Sequence, residues 1–300
     1  MDSSVDEKLL DYNDAQLIHY IKTLPRLPEF RDIILLSSKY LAKAYHGPDM
    51  ERAVKATEFA SALGVRVPRV RRTVSDNGAN YCIMDRIQGV ALDTEWPKLS
   101  WTMSIWLAFQ VRRVIRQLRS VESPTAGCLF TGQCTSFYLD DRFGLPSGAS
   151  LSQVNSFLNF WLNFDSIPHE IKKTPSDHST CPRPLFSTND TFVYTHHDLA
   201  PRNIMIDSAN QLWFIDWDFA GYYPRYFEYA GIHNFSPKGW SRFSIWRWKL
   251  FTWIACGFYD KQAHWLETIR DKFTRFPLAR RWNMTANGYA AAAGRPFVDS

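Results

Sequence analysis

One stretch limits what this chain can fold into more than any other: Tyr194 to Gly221, YTHHDLAPRNIMIDSANQLWFIDWDFAG. The apolar run Phe192–Tyr194 predicts a short strand, and a polar loop follows it. Ile204–Asp207 and Gln211–Ile215 then read as the two arms of a hairpin, with Ser208-Ala209-Asn210 as its turn. A hairpin folding back on itself brings the residue before its first arm close to the residue after its second. Asn203 and Asp216 should therefore face each other, with Asp198 one loop away.

Two carboxylates and a carboxamide gathered this way supply hard oxygen ligands and one spare base. That set suits Mg²⁺ with a phosphate, because Mg²⁺ binds few protein oxygens and leaves positions for phosphate and water. An Asp, four residues, an Asn, then an Asp beyond a hairpin is also the order of the catalytic loop in kinase-type phosphoryl transfer. Its transition state is loose and needs mainly positioning and charge neutralisation, so a few fixed groups suffice. Each residue alone could be a loop cap or a strand-end turn former. Together, on either side of a strand-turn-strand, they ask for chemistry.

The first ninety residues read β-β-α-β-β, a small mixed sheet carrying one helix. A helix at Asp14–Thr23 is capped by Asn13 or Asp14 and has Leu17, Ile18 and Ile21 on one face. Strands are expected at Asp32–Leu36 and Tyr40–Tyr45, with Lys43 inside the second. A helix from Asp49 to Leu63 ends at Gly64, and strands follow at Val65–Arg71 and Tyr81–Ile87. Gln88-Gly89 marks a boundary, beyond which helices dominate. Ser100–Ser120 is strongly periodic, with Ile105, Phe109, Val111, Val114, Ile115 and Leu118 as its apolar set. Ser150–Phe164, Tyr226–His233 and Trp240–Lys272 are further helices, and Asp165–Asp190 is a Pro/Ser/Thr-rich connection.

Composition narrows the class. The 300 residues are 45% hydrophobic and 22% charged, which suits a folded protein of one large or two modest domains. A net charge of +5 falls short of a nucleic-acid-binding footprint. Five scattered cysteines without a C-x-x-C pair predict reduced thiols and a cytoplasmic location. The polar, acidic start lacks the pattern of a secretory signal, and no apolar segment is long enough to span a bilayer. We expect a soluble monomer or weak dimer with no nucleic-acid or membrane partner.

His196-His197-Asp198-Leu199-Ala200-Pro201-Arg202-Asn203, followed by Ile215-Asp216-Trp217-Asp218-Phe219-Ala220-Gly221, resembles the aminoglycoside phosphotransferase / choline kinase-like family of the protein kinase-like superfamily. The likeness is to its fungal branch, with "THGDLAPRN", "IDWE-AG" and "YPEYWEY", the last matching Tyr223–Tyr229. Val65–Val70 is similar to the family's "IPVPRV", and Ile83–Gly89 to its "IMEYIPG" hinge. Leu118–Ser120 with Gly127–Gly132 is similar to its "LRS…IGSVDG" passage, so the resemblance covers roughly residues 30 to 235.

The resemblance implies an α+β, two-lobed protein kinase-like fold with the site in the cleft. Residues 1–88 would form a nucleotide-binding lobe, a small sheet with one main helix, preceded by the helix at 13–23. Residues 89–285 would form a larger, mostly helical lobe carrying the catalytic hairpin, and 286–300 a flexible tail. It implies ATP and Mg²⁺ as cofactors and γ-phosphate transfer to a hydroxyl of a small molecule. Asp198 would be the catalytic base, and Asn203 and Asp216 the metal ligands. Lys43 would hold phosphate, paired with Glu51 or, in reserve, Glu58. Met84, Asp85 and Arg86 would offer backbone groups to adenine. His196 and Glu228 would be structural.

Three features depart from the family pattern. No glycine lies between Asp32 and Tyr45, so Ser37-Ser38-Lys39 would have to cover the phosphates with backbone and hydroxyls. His197 stands where the family has Gly, adding a titratable ring at the mouth of the site. The helix glutamate is out of register. These leave a catalytically weak or inactive kinase-like binding protein as the alternative. A remote one is an HD-type metal phosphohydrolase using His196-His197-Asp198, with His169 or His178. The distance from Asp216 to Tyr222-Tyr223-Pro224 leaves no room for a protein-kinase activation segment. No acidic run follows Asp141 to hold a polycation, which argues against a typical aminoglycoside acceptor. The Trp-rich late helices could form an aromatic acceptor wall or simply core.

Overall fold

The computed structural model describes residues 8–28, 30–139, 145–165, 191–234, 237 and 239–276. The Pro/Ser/Thr-rich connection beyond Asp165, with His169 and His178, and the tail at 286–300 lie outside the described residues. In chain order the main elements are α1 (Asp14–Thr23), β1 (Ile33–Leu35), β2 (Tyr40–His46), α2 (Asp49–Ala62), β3 (Val70–Asp76), β4 (Ala79–Asp85) and β5 (Gly89–Ala91). Then come α3 (Trp101–Arg119), β6 (Glu122–Ser123), α4 (Leu151–Asn163), β7 (Phe192–Thr195), β8 (Ile204–Asp207), β9 (Leu212–Phe214), β10 (Gly221–Tyr223), α5 (Tyr226–Asn234), α6 (Arg242–Cys256) and α7 (Asp260–Arg275). The chain divides into two compact units: residues 1–118, 198–220 and 235–255, and residues 119–197, 221–234 and 256–300.

In the first unit, β1 to β4 form a sheet in the order β1-β2-β4-β3. Every pairing is antiparallel, which corrects the expected mixed sheet. The helix α2 carries the chain past β4, so the two strands flanking β4 both run against it. The third strand starts at Val70 and not at Val65, because Val65–Arg69 is extended chain whose Arg66 carbonyl accepts the Phe214 amide at 2.9 Å.

Strand alternation then sorts the faces. Leu17 and Ile21 of α1 pack with Ile34, Ala42, Val74, Tyr81 and Ile83 on one side. Tyr45, Cys82 and Ala53 of α2 pack on the other. Lys43 shares parity with Tyr45, so it points to the α2 face. Asn13 caps α1 with a full capping box, and α2 ends in a Schellman turn with Gly64 at φ +82° and the Val65 amide on the Ala60 carbonyl at 3.1 Å.

Helix α3 buries Ser104, Leu107, Ala108, Val111, Ile115 and Leu118. Ile105 and Phe109, expected on that face, are 38% and 57% exposed. With apolar side chains nearly all round the first turns, periodicity did not separate the two faces. The Trp-rich segment splits into α6 and α7. Trp248 and Phe251 of α6 are buried, packing within 4.8 and 5.1 Å of the Trp96 ring, whose indole N–H donates to the Ser244 carbonyl at 3.0 Å. These two rings are core, whereas Phe243 and Trp246 of the same helix are 54% and 55% exposed. Among the described residues no helix is long and apolar enough to cross a membrane.

In the second unit, β10, β7 and β6 form an antiparallel sheet in that order. Gly127 lies at φ +120°, and a Cβ there would come within 1.8 Å of the Gly132 carbonyl oxygen, so both glycines of that motif sit where backbones meet. Helix α5 contributes Glu228, almost fully buried, whose two oxygens accept the His196 and His197 amides at 2.7 and 3.1 Å. The glutamate thus fixes the loop leading to Asp198. Cys82, Cys128, Cys134 and Cys256 are buried thiols.

Candidate active site

The hairpin forms as its sequence demands. Ile204 pairs with Phe214, Met205 with Trp213 and Ile206 with Leu212, burying Ile204, Ile206, Leu212 and Phe214. The turn holds Asn210 at φ +59°, a conformation Asn tolerates. Asp207 closes it, accepting the Ala209 and Gln211 amides and the Trp213 indole N–H at 2.8–2.9 Å. A third strand, β5, which begins at the Gln88-Gly89 boundary read from the sequence, adds to β8. It begins at Gly89, where a Cβ would come within 2.6 Å of the Ile206 carbonyl oxygen.

At the open end, the Ile215 amide donates to the Asn203 carbonyl at 3.0 Å, tying the residue before Asp216 to Asn203. Asn203 is buried, and its Nδ2 donates to the Asp198 carbonyl and carboxylate at 2.7 and 3.0 Å. That orientation leaves Oδ1 as the Asn203 atom able to take a cation. Asp198 is 3% exposed, and Arg202 Nη2 bridges its two oxygens at 2.8 and 2.7 Å. Burial pushes the Asp198 carboxyl up to about 6; Asp216 adds to that, while Arg202 and Asn203 oppose it. Arg202 was missed as a site residue. Its position four after Asp198 was the available signal.

Lys43 reaches the far side of the same group. Its Nζ donates to Asp216 Oδ1 at 2.5 Å and to Asp218 Oδ2 at 2.8 Å. Tyr45 braces Asp218 through its hydroxyl at 3.1 Å. Burial pulls the Lys43 pKa down, but the two carboxylates outweigh it and raise it. Burial lifts the Asp218 carboxyl above its usual range; Lys43 opposes this and Asp216 adds to it. Asp216 itself sits at φ +68°, a left-handed conformation that its short polar side chain allows.

Several expectations fail here. Glu51 does not pair with Lys43. It is an exposed residue bonded to Lys55 one helical turn on, at 2.8 Å, and Glu58 is exposed on the same helix. Lys43 takes its carboxylates from the hairpin instead. At the expected hinge, Met84 is paired within the sheet between β2 and β3. The Asp85 and Arg86 amides donate to the Arg69 and Lys39 carbonyls at 3.0 and 2.7 Å, so both amides are already paired within this unit. The Asp85 side chain forms a two-bond fork with Arg71.

The Ser37-Ser38-Lys39 turn closes on itself. Ser37 Oγ accepts the Lys39 and Tyr40 amides at 3.2 and 3.1 Å, and the Ser37 amide donates to the Tyr40 carbonyl at 3.1 Å. A side chain thus takes two amides that a glycine-rich loop would leave for phosphate.

His197 is not at any mouth. Its ring is fully buried among Phe137, Tyr138, Tyr223 and Phe227, with centroids 4.7–5.8 Å away. Its Nε2 accepts the Phe137 amide at 3.3 Å and lies 2.7 Å from Ser136 Oγ. Burial, with His196 nearby, lowers its pKa to about 3. Its φ of +68° explains why a glycine fits this position in relatives of the motif.

The model of the phosphotransferase enzyme family matches residues 33–252, well over half of the sequence. The chain belongs to that family. A comparison with curated protein sequences finds no match. Among solved structures, the chain is similar to the aminoglycoside phosphotransferase APH(3'')-Id from Streptomyces rimosus in complex with ADP and streptomycin. Identity is 16%, covering 91% of this chain and 99% of that one, with a TM-score of 0.54. It is also similar to APH(2")-IIa in its gentamicin complex (14% identity, 99% and 97% covered, TM-score 0.51) and to ADP-bound APH(2'')-Ib (16%, 99% and 93%, 0.51). At these identities the likeness carries the fold: α+β and protein kinase-like, with a β-sheet N-terminal region and a helical C-terminal region. The phosphotransferase family assignment rests on the match over residues 33–252.

Proposed function

We propose that this chain is an ATP- and Mg²⁺-dependent phosphotransferase acting on a hydroxyl of a small molecule. The observation that carries the reading is a buried carboxylate, Asp198, held by Asn203 and Arg202 in the same compact unit as Lys43, Asp216 and Asp218. Asn203 and Asp216 are oxygen donors of the kind Mg²⁺ takes, and among the described residues no larger His/Cys/Asp/Glu group competes as a metal cage. When bound there, Mg²⁺ would neutralise charge on the transferring phosphate.

The chain's own residues then divide the work. Lys43 would bind phosphate oxygens, and Asp198 would accept the acceptor hydroxyl proton at its carboxylate. Arg202 would hold that carboxylate in line, its guanidinium 41% exposed. A fixed cation beside the base supports a neutral or anionic acceptor over a polycation. Residues 1–88 would carry most nucleotide contacts, and the buried thiols support a cytoplasmic, reducing setting.

A second reading has one observation in its favour. The Ser37 turn is satisfied internally, as a binding protein without turnover could have it. The phosphohydrolase alternative is weakened because His197 is buried away from metal chemistry and Asp198 is bound to Arg202. A metabolite-library screen with γ-labelled ATP tests the proposal. Label transfer that disappears in Asp198→Asn supports it, and no transfer to any acceptor together with intact Mg·ATP binding favours the inactive protein. Asp216→Ala should abolish metal-dependent nucleotide binding; full Mg·ATP affinity in that variant would remove Asp216 from the metal site.

A further inference from the structure

The Lys43 side chain is only 16% exposed, and an ammonium withdrawn that far from water needs a fixed anion. The expected source was helix α2. Its two candidates are elsewhere: Glu51 pairs with Lys55, and Glu58 lies exposed. Lys43 instead lies between Asp216 and Asp218, residues on one loop and two positions apart. These carboxylates are not equivalent. Asp216 follows the hairpin and is proposed to face metal with Asn203. Asp218 has a second protein partner, the Tyr45 hydroxyl, and Tyr45 lies on the same strand and face as Lys43.

Lys43, Tyr45 and Asp218 therefore form one linked set beside Asp216. The strand supplies the ammonium and the phenol, spaced by two, and the loop supplies one carboxylate that takes both, one oxygen each. The Tyr45 ring also lies 5.0 Å from the Lys43 ammonium. A carboxylate fixed from two directions can hold the lysine in place when Asp216 turns to a cation.

We infer that Asp218, braced by Tyr45, is the positioning residue that orients Lys43 for phosphate, in place of any carboxylate of helix α2. The inference rests on the phosphotransferase reading and deepens it. One consequence is that the lysine is set by the hairpin loop, so a shift of α2 would not switch the site on or off. Sequence reading missed Asp218 because it counted that residue as part of the motif without a partner.

The test is a double-mutant cycle on Mg·ADP and Mg·ATP affinity, by calorimetry, with the full chain. Asp218→Asn should weaken binding about tenfold, a coupling of the size seen for contacting charge pairs. Lys43→Ala with Asp218→Asn should be no weaker than Lys43→Ala alone. Asp218→Glu should restore part of the loss, and Tyr45→Phe should cost about threefold, on the scale of one hydrogen bond. Glu51→Gln and Glu58→Gln should change nothing. Independent, multiplying effects of Lys43→Ala and Asp218→Asn would overturn the inference, as would a loss in either helix variant equal to that of Asp218→Asn.

If the wild-type chain binds no nucleotide at millimolar concentration, the phosphotransferase reading fails by itself. The same cycle read on the unfolding equilibrium then decides the pairing: non-additive losses keep Asp218 as the partner of Lys43, and additive ones remove it. Tyr45→Phe keeps the charges in place and serves if Asp218→Asn does not fold.

Discussion

Two adjacent residues, His197 and Asp198, bury an ionisable group in opposite ways. His197 belongs to the unit containing β7 and α5, and its ring is enclosed by four aromatic side chains. Its buried Nδ1 has no hydrogen-bond partner among the described residues, so the ring is kept neutral. Asp198 belongs to the unit with the hairpin and is buried almost as deeply, but against a guanidinium and a carboxamide. Packing removes the first charge; counter-groups keep the second within reach of ordinary pH. The first solution builds scaffold and the second can do chemistry.

The largest break in that contrast is Asp198→Asn. The variant keeps the shape of the side chain and loses the proton acceptor. Turnover should fall by about 10²–10⁴-fold, the range for losing a general base, while Mg·ATP affinity stays within about threefold. Initial-rate assays with the acceptor found by screening, paired with calorimetry, check it. Unchanged turnover would leave Asp198 with a structural role like that of its neighbour.

Next is Glu228, the scaffold's own buried carboxyl group. Glu228→Ala strips the acceptor from the His196 and His197 amides and should destabilise the fold by about 3 kcal/mol, as for two buried donors left unsatisfied. Glu228→Gln, keeping one good acceptor, should lose about half as much. Chemical denaturation measures both. Equal stability in all three proteins would mean the loop is held by something else.

The same contrast explains what could be read in the sequence. The hairpin, its turn and the closeness of Asn203 to Asp216 were legible, because a short strand-turn-strand carries its register locally. The cap at Asn13 and the Schellman end at Gly64 were legible for the same reason. The partners of Lys43 were not. Asp216 and Asp218 lie more than 170 residues away in sequence, whereas Glu51 and Glu58 sit at tempting local spacings. Nor was the fate of His197 legible, since Ser136 and Phe137 come from one stretch and Tyr223 and Phe227 from another. A polar residue next to a catalytic motif looks exposed until the rings that cover it are known. Ile105 and Phe109 misled for a different reason: an aromatic-rich helix has more apolar positions than one face can bury.

His197→Gly separates strain from packing. Glycine would relieve the left-handed backbone, at φ +68°, where a side chain costs roughly 1–2 kcal/mol. It would also empty the aromatic enclosure, and deleting a buried ring costs about 3–5 kcal/mol. Packing should win, leaving a net loss of about 2 kcal/mol in denaturation, with Mg·ATP affinity unchanged. A variant more stable than the wild type would show that the ring is tolerated there and nothing more.

The smallest effect, read near pH 6, is a pH dependence that His197 alone should produce. Its pKa is lowered from 6.5 to about 3 by burial, so the folded state resists a proton that the unfolded chain takes readily. Stability from this group is therefore complete above pH 6.5 and is lost as pH falls from 6.5 toward 3, by at most about 1.4 kcal/mol per pH unit. At pH 6, only just inside that window, the loss should be under about 1 kcal/mol. His197→Asn, whose side chain tolerates the left-handed backbone and does not titrate, should lack that increment even though its stability at pH 7.5 is lower. Denaturation of both proteins at pH 7.5, 6 and 5 gives the difference directly. The wild-type curve should fall faster than the variant's below pH 6.5, and parallel curves would mean the ring takes up its proton inside the enclosure, as an accessible histidine would.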